Sequence, residues 1–81
     1  MVHMREQKIK QDEILIGKNI REVRIKRGIG QTALVGQLQL NGIPMTRETL
    51  VKIERGVQHI QASQLRAIRD ALNTSYDELL K

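Results

Sequence analysis

The sequence contains no cysteine, phenylalanine or tryptophan, and it has only one tyrosine and one proline. Without cysteine the chain can form no disulfide, no thiolate nucleophile and no cysteine-ligated zinc site, which fits a reducing cytosol. With Tyr76 as the only aromatic residue, the core must consist of Ile, Leu and Val side chains. No apolar run approaches membrane-spanning length, and no signal peptide is apparent. We therefore expect a soluble, cytoplasmic protein that makes no membrane contact.

The length indicates the number of domains, and the charge distribution indicates the kind of partner. Eighty-one residues suffice for one small domain with one core. Residues 1–56 hold eleven Lys or Arg against six Asp or Glu, whereas residues 57–81 hold three of each sign. The formal excess of +5 therefore lies in the first part of the chain. This asymmetry favours a polyanionic partner, and an ordinary solvated surface is the alternative.

Residues 1–11 are polar and show no helical apolar pattern. We interpret them as a flexible N-terminal arm that precedes a single domain over residues 12–81. Arg5, Lys8 and Lys10 give this arm a second possible role, in which it contacts nucleic-acid phosphates.

Hydrophobic spacing and cap residues predict five helices and no strand in an all-α fold. Helix one is predicted over 12–27, with Asp12 as N-cap, Gly28 after its end, and Ile16, Ile20, Val23 and Arg27 along its inward stripe. The next three helices are predicted at 31–39, from a cap at Thr46 to Arg55, and at 62–72. A capping box formed by Ser75 and Glu78 predicts a short fifth helix.

Helices two and three are joined by an unusually long turn. Asn41-Gly42 supplies a positive φ, Pro44 prevents helix at the residue before it, and we expect Leu40, Ile43 and Met45 to tuck inward. Helix three buries Leu50 and Ile53, which leaves an opposite flank of polar and basic side chains: Thr46, Arg47, Glu48, Thr49 and Lys52. A helix with such a flank suits the major groove of DNA.

Residues able to support catalysis are few and poorly placed. His3 and His59 are far apart, and neither has a second donor at metal-ligand spacing. Asp12-Glu13 and Asp77-Glu78 lie at predicted helix starts, where acidic residues interact with the helix dipole. The chain has neither a phosphate-binding loop nor a nucleophile elbow. We therefore expect no enzyme, no metal, no cofactor and no small-molecule ligand.

The arrangement of these elements resembles the Cro/Xre-type helix-turn-helix regulators over about residues 15–80. The segments that carry the resemblance are IGKNIREVRIKRG (16–28), QTALVGQL (31–38), TRETLVKIERG (46–56) and AIRDALNTSYDELL (67–80). The resemblance implies a five-helix, lambda-repressor-like DNA-binding domain in which helices two and three form the helix-turn-helix. The chain departs from the family pattern in a turn about four residues longer, in Val35 where Ala is usual, and in Gly30 where Ser or Asn is common.

The resemblance also suggests roles for individual residues. Bases would be read by Thr46, Arg47, Glu48, Thr49 and Lys52, and phosphates would be bound by Gln31, Thr32, Arg55, Gln58 and His59. Arg24 would form a buried ion pair with Glu54. For the dimer surface we assign Tyr76, Leu79 and Leu80 of the last helix.

The predicted function is sequence-specific binding of double-stranded DNA by a transcriptional regulator, a repressor that acts as a homodimer on a two-fold operator. An antitoxin or a restriction-modification controller would use the same DNA contact and is the alternative. A protein–protein adaptor without DNA binding is less favoured, because we place the basic excess at the helix pair.

Overall fold

The computed structural model describes residues 8–9 and 14–81, without the side chain of Lys8. Its elements, in chain order, are β1 (Lys8–Ile9), α1 (Ile16–Lys26), α2 (Gln31–Leu40), α3 (Arg47–Glu54), β2 (Ile60–Gln61), α4 (Ala62–Ala71) and α5 (Tyr76–Leu79). The predicted all-α fold with five helices is confirmed, and every predicted helix is present in the described part of the chain. Helix α1 packs against α3 and α5, and α2 packs against α3 and α4.

One aliphatic core lies between the helices. Each helix contributes residues from one face, and Ile60 of β2 also belongs to the core. The fully buried side chains are Ile16, Ile20, Leu34, Leu38, Met45, Leu50, Ile53, Ile60, Ile68, Leu72 and Leu79. The predicted inward face of α3, with Leu50 and Ile53, is thereby confirmed.

Four helices end with the same backbone motif. At the end of α1, Gly28 has φ +70°, its N–H bonds to the Ile25 carbonyl, and the Ile29 N–H bonds to the Arg24 carbonyl. This is a Schellman motif, in which a left-handed residue satisfies carbonyls that the helix leaves unpaired. The same pattern of bonds surrounds Gly42, Gly56 and Asn73. The sequence predicted the helix end at Gly28 and the positive φ in the Asn41-Gly42 turn, and all four positions set the direction in which the chain leaves each helix.

Helix α1 starts later than predicted. It begins at Ile16, because Leu15 has φ −84° and ψ 70° and the Ile16 N–H bonds to the Ile14 carbonyl. The predicted cap, Asp12, lies outside the described residues. Arg27, predicted on the inward stripe, is instead exposed, and its Nη2 donates to the Asn73 carbonyl at 2.9 Å. That bond joins the ends of α1 and α4.

A minimal antiparallel strand pair was not predicted. Ile9 pairs with Ile60 and Lys8 with Gln61, so β1 and β2 form a two-stranded sheet. Ile9 is half-buried and packs against the core. These two residues therefore differ from the predicted flexible arm, whereas residues 1–7, 10 and 11 of that arm lie outside the described part of the chain.

Helix α5 closes the core instead of offering an apolar surface. Leu79 is fully buried and Leu80 is half-buried against the core. The buried Asn19 Nδ2 on α1 donates to the carbonyls of Leu79 at 2.9 Å and Lys81 at 3.1 Å. Ser75 caps the helix by accepting from the Glu78 N–H at 3.2 Å. The assignment of Leu79 to a dimer surface is therefore wrong, because its side chain is fully buried within its own protomer.

Candidate nucleic-acid interface

The N-terminus of α3 is capped by Thr46. Its Oγ1 accepts from the Thr49 N–H at 3.1 Å and also donates to the Thr49 hydroxyl at 3.1 Å. The cap satisfies one of the unpaired N–H groups at the helix start. Because Thr46 gives its own proton to Thr49, the Thr49 hydroxyl keeps a proton that it can donate outward. Thr46 thus positions the helix, whereas half-buried Thr49 offers a donor.

The exposed flank of α3 carries Arg47, Glu48 and Lys52. Lys52 Nζ lies 3.3 Å from Glu48 Oε1 in an i,i+4 ion pair, and both side chains are largely exposed. For Arg47 there is no such partner: within the described ranges no carboxylate lies at ion-pair distance from it. Since the pair of Glu48 and Lys52 is neutral as a unit, Arg47 is the uncompensated cation at the exposed start of α3.

The long turn holds α3 through backbone and core contacts. Gly42, with φ +83°, ends α2, and the Ile43 N–H returns to the Leu38 carbonyl at 2.9 Å. Met45 is buried, and its carbonyl accepts from Gln39 Nε2 at 2.8 Å. Ile43 and Met45 thus face inward as predicted, but Leu40 is 88% exposed and that part of the prediction is wrong. The Schellman motif turns the chain after Leu40, which leaves its side chain on the outside of the last turn of α2.

The C-terminus of α3 is held by a buried carboxylate. Glu54 accepts two bonds from Arg24, from Nε at 2.7 Å and from Nη2 at 2.9 Å, while Arg24 Nη1 donates to the Ile29 carbonyl at 2.9 Å. Side-chain exposure is 9% for Arg24 and 2% for Glu54. The hydrogen bond to Glu54, and secondarily its negative charge, raises the pKa of Arg24 against the effect of burial. The guanidinium therefore stays charged, and we refer to this pair as the Arg24–Glu54 clamp.

Gln31, the first residue of α2, joins the clamp. Its Nε2 donates to Glu54 Oε1 at 3.1 Å. One N–H of Gln31, a predicted phosphate ligand, is therefore already bonded within the protein. The amide keeps a second N–H that can donate outward. Through Glu54 the contact also brings Gln31 and the exposed Thr32 next to Arg55, which follows Glu54 at the end of α3. The start of α2, with Gln31 and Thr32, therefore lies beside the end of α3, which Arg55 follows.

The other two predicted phosphate ligands lie beyond α3. Half-buried Gln58 and exposed His59 line a polar groove together with Val57, Gln61 and Gln64. Gln61 and Gln64 form a capping box at the start of α4, in which the Gln61 N–H donates to Gln64 Oε1 at 2.9 Å. The spacing of these two glutamines was the available sequence signal for this cap. The groove adds amide groups that the sequence analysis did not consider.

The basic excess is not located where it was first placed. Residues 31–56 hold three Lys or Arg against two Asp or Glu, a net charge of +1. Residues 14–30 hold five against one, a net charge of +4, and most of these cations lie on α1. The argument against an adaptor role from charge on the helix pair is therefore wrong. The exposed flank of α3 is distinguished less by its net charge than by its helical shape and by Arg47, which forms no ion pair among the described residues.

The residues assigned to a dimer surface are only partly available. Tyr76 is 37% exposed, and its ring lies under the Arg69 guanidinium, 4.5 Å from the ring centroid. Leu79 and Leu80 belong to the core or pack against it. An apolar dimer surface on α5 is therefore reduced to one aromatic side chain that already has a partner within its own protomer.

Residues 8–9 and 14–81 contain no cluster of three or more His, Cys, Asp or Glu side chains suited to a metal ion. In the same ranges, none of the helices has the length and apolar character needed to span a bilayer.

Comparison with known proteins identifies the family. A family model described as a helix-turn-helix domain matches residues 17–81, which include all five helices except the first residue of α1. Neither the curated proteins nor the solved structures yield a match. The α2–turn–α3 geometry and this match over most of the chain agree. The chain belongs to the helix-turn-helix domain family of DNA-binding proteins.

Proposed function

We propose that the protein binds double-stranded DNA sequence-specifically, with α3 in the major groove, and acts as a Cro/Xre-type transcriptional repressor. The observation that carries the proposal is the position of Arg47. It is exposed and without a carboxylate partner among the described residues, at the start of a helix whose other end is fixed by the Arg24–Glu54 clamp. A fixed helix with a free Arg at its start is the arrangement that direct base readout requires.

The side chains of α3 have different roles in this proposal. The fork of Arg47 fits the O6 and N7 acceptors of guanine. Thr49 contributes its remaining hydroxyl proton, and Lys52 reaches the DNA by exchanging Glu48 for a base or a phosphate. Thr46 is committed to the cap and supports the readout without making it.

Phosphate contacts place the helix over the groove. Arg55 at the end of α3 and Gln31 and Thr32 at the start of α2 lie together, so they are suited to adjacent phosphates on one strand. Helix N-termini also attract anions, and the start of α2 is one. Gln58 and His59 extend this row toward α4.

The size of α3 is the reason to propose a homodimer. The helix has eight residues, about 12 Å at 1.5 Å per residue, and spans only a few base pairs. Useful specificity then requires two copies on a two-fold site, with half-sites about 34 Å apart. The dimer proposal rests on this requirement and no longer on the leucines of α5.

Selection from random duplex DNA tests the proposal. The expected product is a two-fold sequence with half-sites roughly 10 base pairs apart, bound more tightly than a scrambled duplex and with an affinity that falls as salt rises. Sedimentation of the protein with the selected duplex should show two protomers per site. Recovery of no common sequence, with equal affinity for all duplexes, would contradict sequence-specific binding. One protomer on an unsymmetrical site would contradict the dimer alone.

A further inference from the structure

The outer face of α1 is basic and has no role in the proposed DNA contact. Lys18, Arg21, Glu22, Ile25 and Lys26 are all exposed and recur at i, i+3, i+4, i+7 and i+8, so they share one side of the helix. We call these five residues the α1 outer face. Within the described ranges none of its three cations forms an ion pair. The face therefore carries a net positive charge that no ion pair among the described residues neutralises.

The α1 outer face lies on the side of α1 opposite its buried Ile16, Ile20 and Val23. Helix α1 meets α3 through its inward side, where Arg24 bonds to Glu54. Arg47 and Lys52 lie on the side of α3 opposite its buried Leu50 and Ile53. We therefore place the α1 outer face outside the proposed DNA contact.

A groove with an apolar wall adjoins the α1 outer face. It lies between α1 and the end of α5 and is lined by Val23, Ile25, Lys26, Lys81, Glu22 and Glu78. Ile25 is 52% exposed at its edge. Glu78 and Lys81 neutralise each other across 3.6 Å. Ile25 therefore offers an apolar anchor beside the groove. The cations around it offer charge complementarity to an acidic segment.

We propose that the α1 outer face binds an acidic, amphipathic helix of a protein partner. One apolar side chain of the partner enters the groove against Ile25, and its carboxylates meet Lys18, Arg21 and Lys26. A second DNA duplex fits this site less well, because a phosphate backbone gains nothing from the exposed Ile25. The same domain would then contact DNA with α3 and a regulatory protein with the α1 outer face, independently of each other.

The test uses the full chain and a synthetic peptide of about 15 residues that has Leu at i, i+3 and i+4 spacing and Glu on both flanks. Binding is followed by amide chemical shifts and by fluorescence anisotropy. On peptide binding we expect the amide chemical shifts of residues 18–26 and 78–81 to change. Arg21→Gln and Ile25→Ser should each weaken binding by about fivefold or more, and a peptide with Ser in place of Leu should bind as weakly.

Two matched controls use exposed residues elsewhere. Arg66→Gln removes the same charge from α4, and Leu40→Ser removes an apolar side chain that is more exposed than Ile25. Both should retain peptide affinity within about twofold, and Arg21→Gln should retain the affinity for duplex DNA within the same margin. Equal weakening by Arg21→Gln and Arg66→Gln would show a general charge effect and overturn the proposal. So would shifts confined to other surfaces, or a loss of duplex binding in Arg21→Gln, which would indicate DNA as the occupant.

Discussion

The two ends of α3 are built from similar residues and behave differently. At the C-terminal end, Glu54 is buried and accepts bonds from Arg24 and Gln31. At the N-terminal end, Glu48 forms an exposed ion pair with Lys52 of the last turn, and Arg47 has no carboxylate at ion-pair distance in the described part of the chain. The C-terminal end, which we call the fixed end, is bonded to α1 and α2. The N-terminal end, which we call the exchangeable end, has exposed side chains that can change partners when a ligand binds. A carboxylate–cation pair can thus anchor a helix or remain exchangeable, depending on its burial.

Breaking the fixed end should have the largest effect. Arg24→Ala leaves the Glu54 charge buried without its main partner and removes the donor to the Ile29 carbonyl, so we expect a loss of about 3–5 kcal/mol in the free energy of unfolding. Urea denaturation followed by circular dichroism measures it. The double variant Arg24→Met, Glu54→Leu should lose less than Arg24→Ala, because it strands no charge. A loss below about 1 kcal/mol for Arg24→Ala would show that the pair does not hold α3.

Variants at the exchangeable end should change DNA affinity and leave the free energy of unfolding nearly unchanged. Arg47→Ala should lose about 1–3 kcal/mol of binding free energy at the selected DNA site, measured by fluorescence anisotropy. Arg47→Lys keeps the charge but lacks the planar fork, so it should recover little of that loss. Full recovery by Lys would mean that Arg47 acts only as a charge.

The Thr46 cap lies at the exchangeable end of α3, yet its role is to stabilise the helix. A variant at Thr46 therefore separates an effect on stability from an effect on DNA binding. Thr46→Ala removes the acceptor for the Thr49 N–H and should lower the free energy of unfolding by about 1 kcal/mol. Thr46→Ser keeps that acceptor and serves as the control in thermal unfolding. If Thr46→Ala leaves stability unchanged but weakens specific DNA binding, Thr46 reads a base and our assignment of it as a cap alone is wrong.

The smallest effect on stability is expected for the exposed ion pair. Glu48→Gln should change the free energy of unfolding by about 0.5 kcal/mol or less. It releases Lys52 and removes a negative charge from the DNA-facing flank, so affinity for any duplex should rise. A decrease in general affinity would indicate that Glu48 itself contacts the DNA.

Local signals in the sequence predicted most of the helical architecture. Gly28, Gly42, Gly56 and Asn73 mark helix ends because few residue types adopt a positive φ at low cost. The placement of Arg24 beside an apolar stripe, together with the family resemblance, suggested a buried partner for it. These inferences depend on single residues or on short spacings, which is why they could be made without knowing the packing.

Features decided by packing were not predicted. Leu40 and Met45 flank the same turn and both were expected to face inward, but the chain turns at Gly42 and leaves Leu40 exposed while Met45 is buried. Leu79 lies in a helix too short to show a periodicity, so its inward face could not be assigned. The bonds from Asn19 to the end of α5 connect residues 60 and 62 positions apart. The location of the basic excess on α1 needed only a count by segment, and that signal was in the sequence.

The most direct test of the central claim compares Arg47→Ala with Arg55→Ala on the selected and the scrambled duplex. For Arg47→Ala we predict that the ratio of the two affinities falls roughly five- to hundredfold, because base readout is lost. For Arg55→Ala the ratio should stay constant while both affinities fall and the salt slope decreases by about one. If Arg47→Ala lowers both affinities by the same factor, the exposed start of α3 does not read sequence and the account is contradicted.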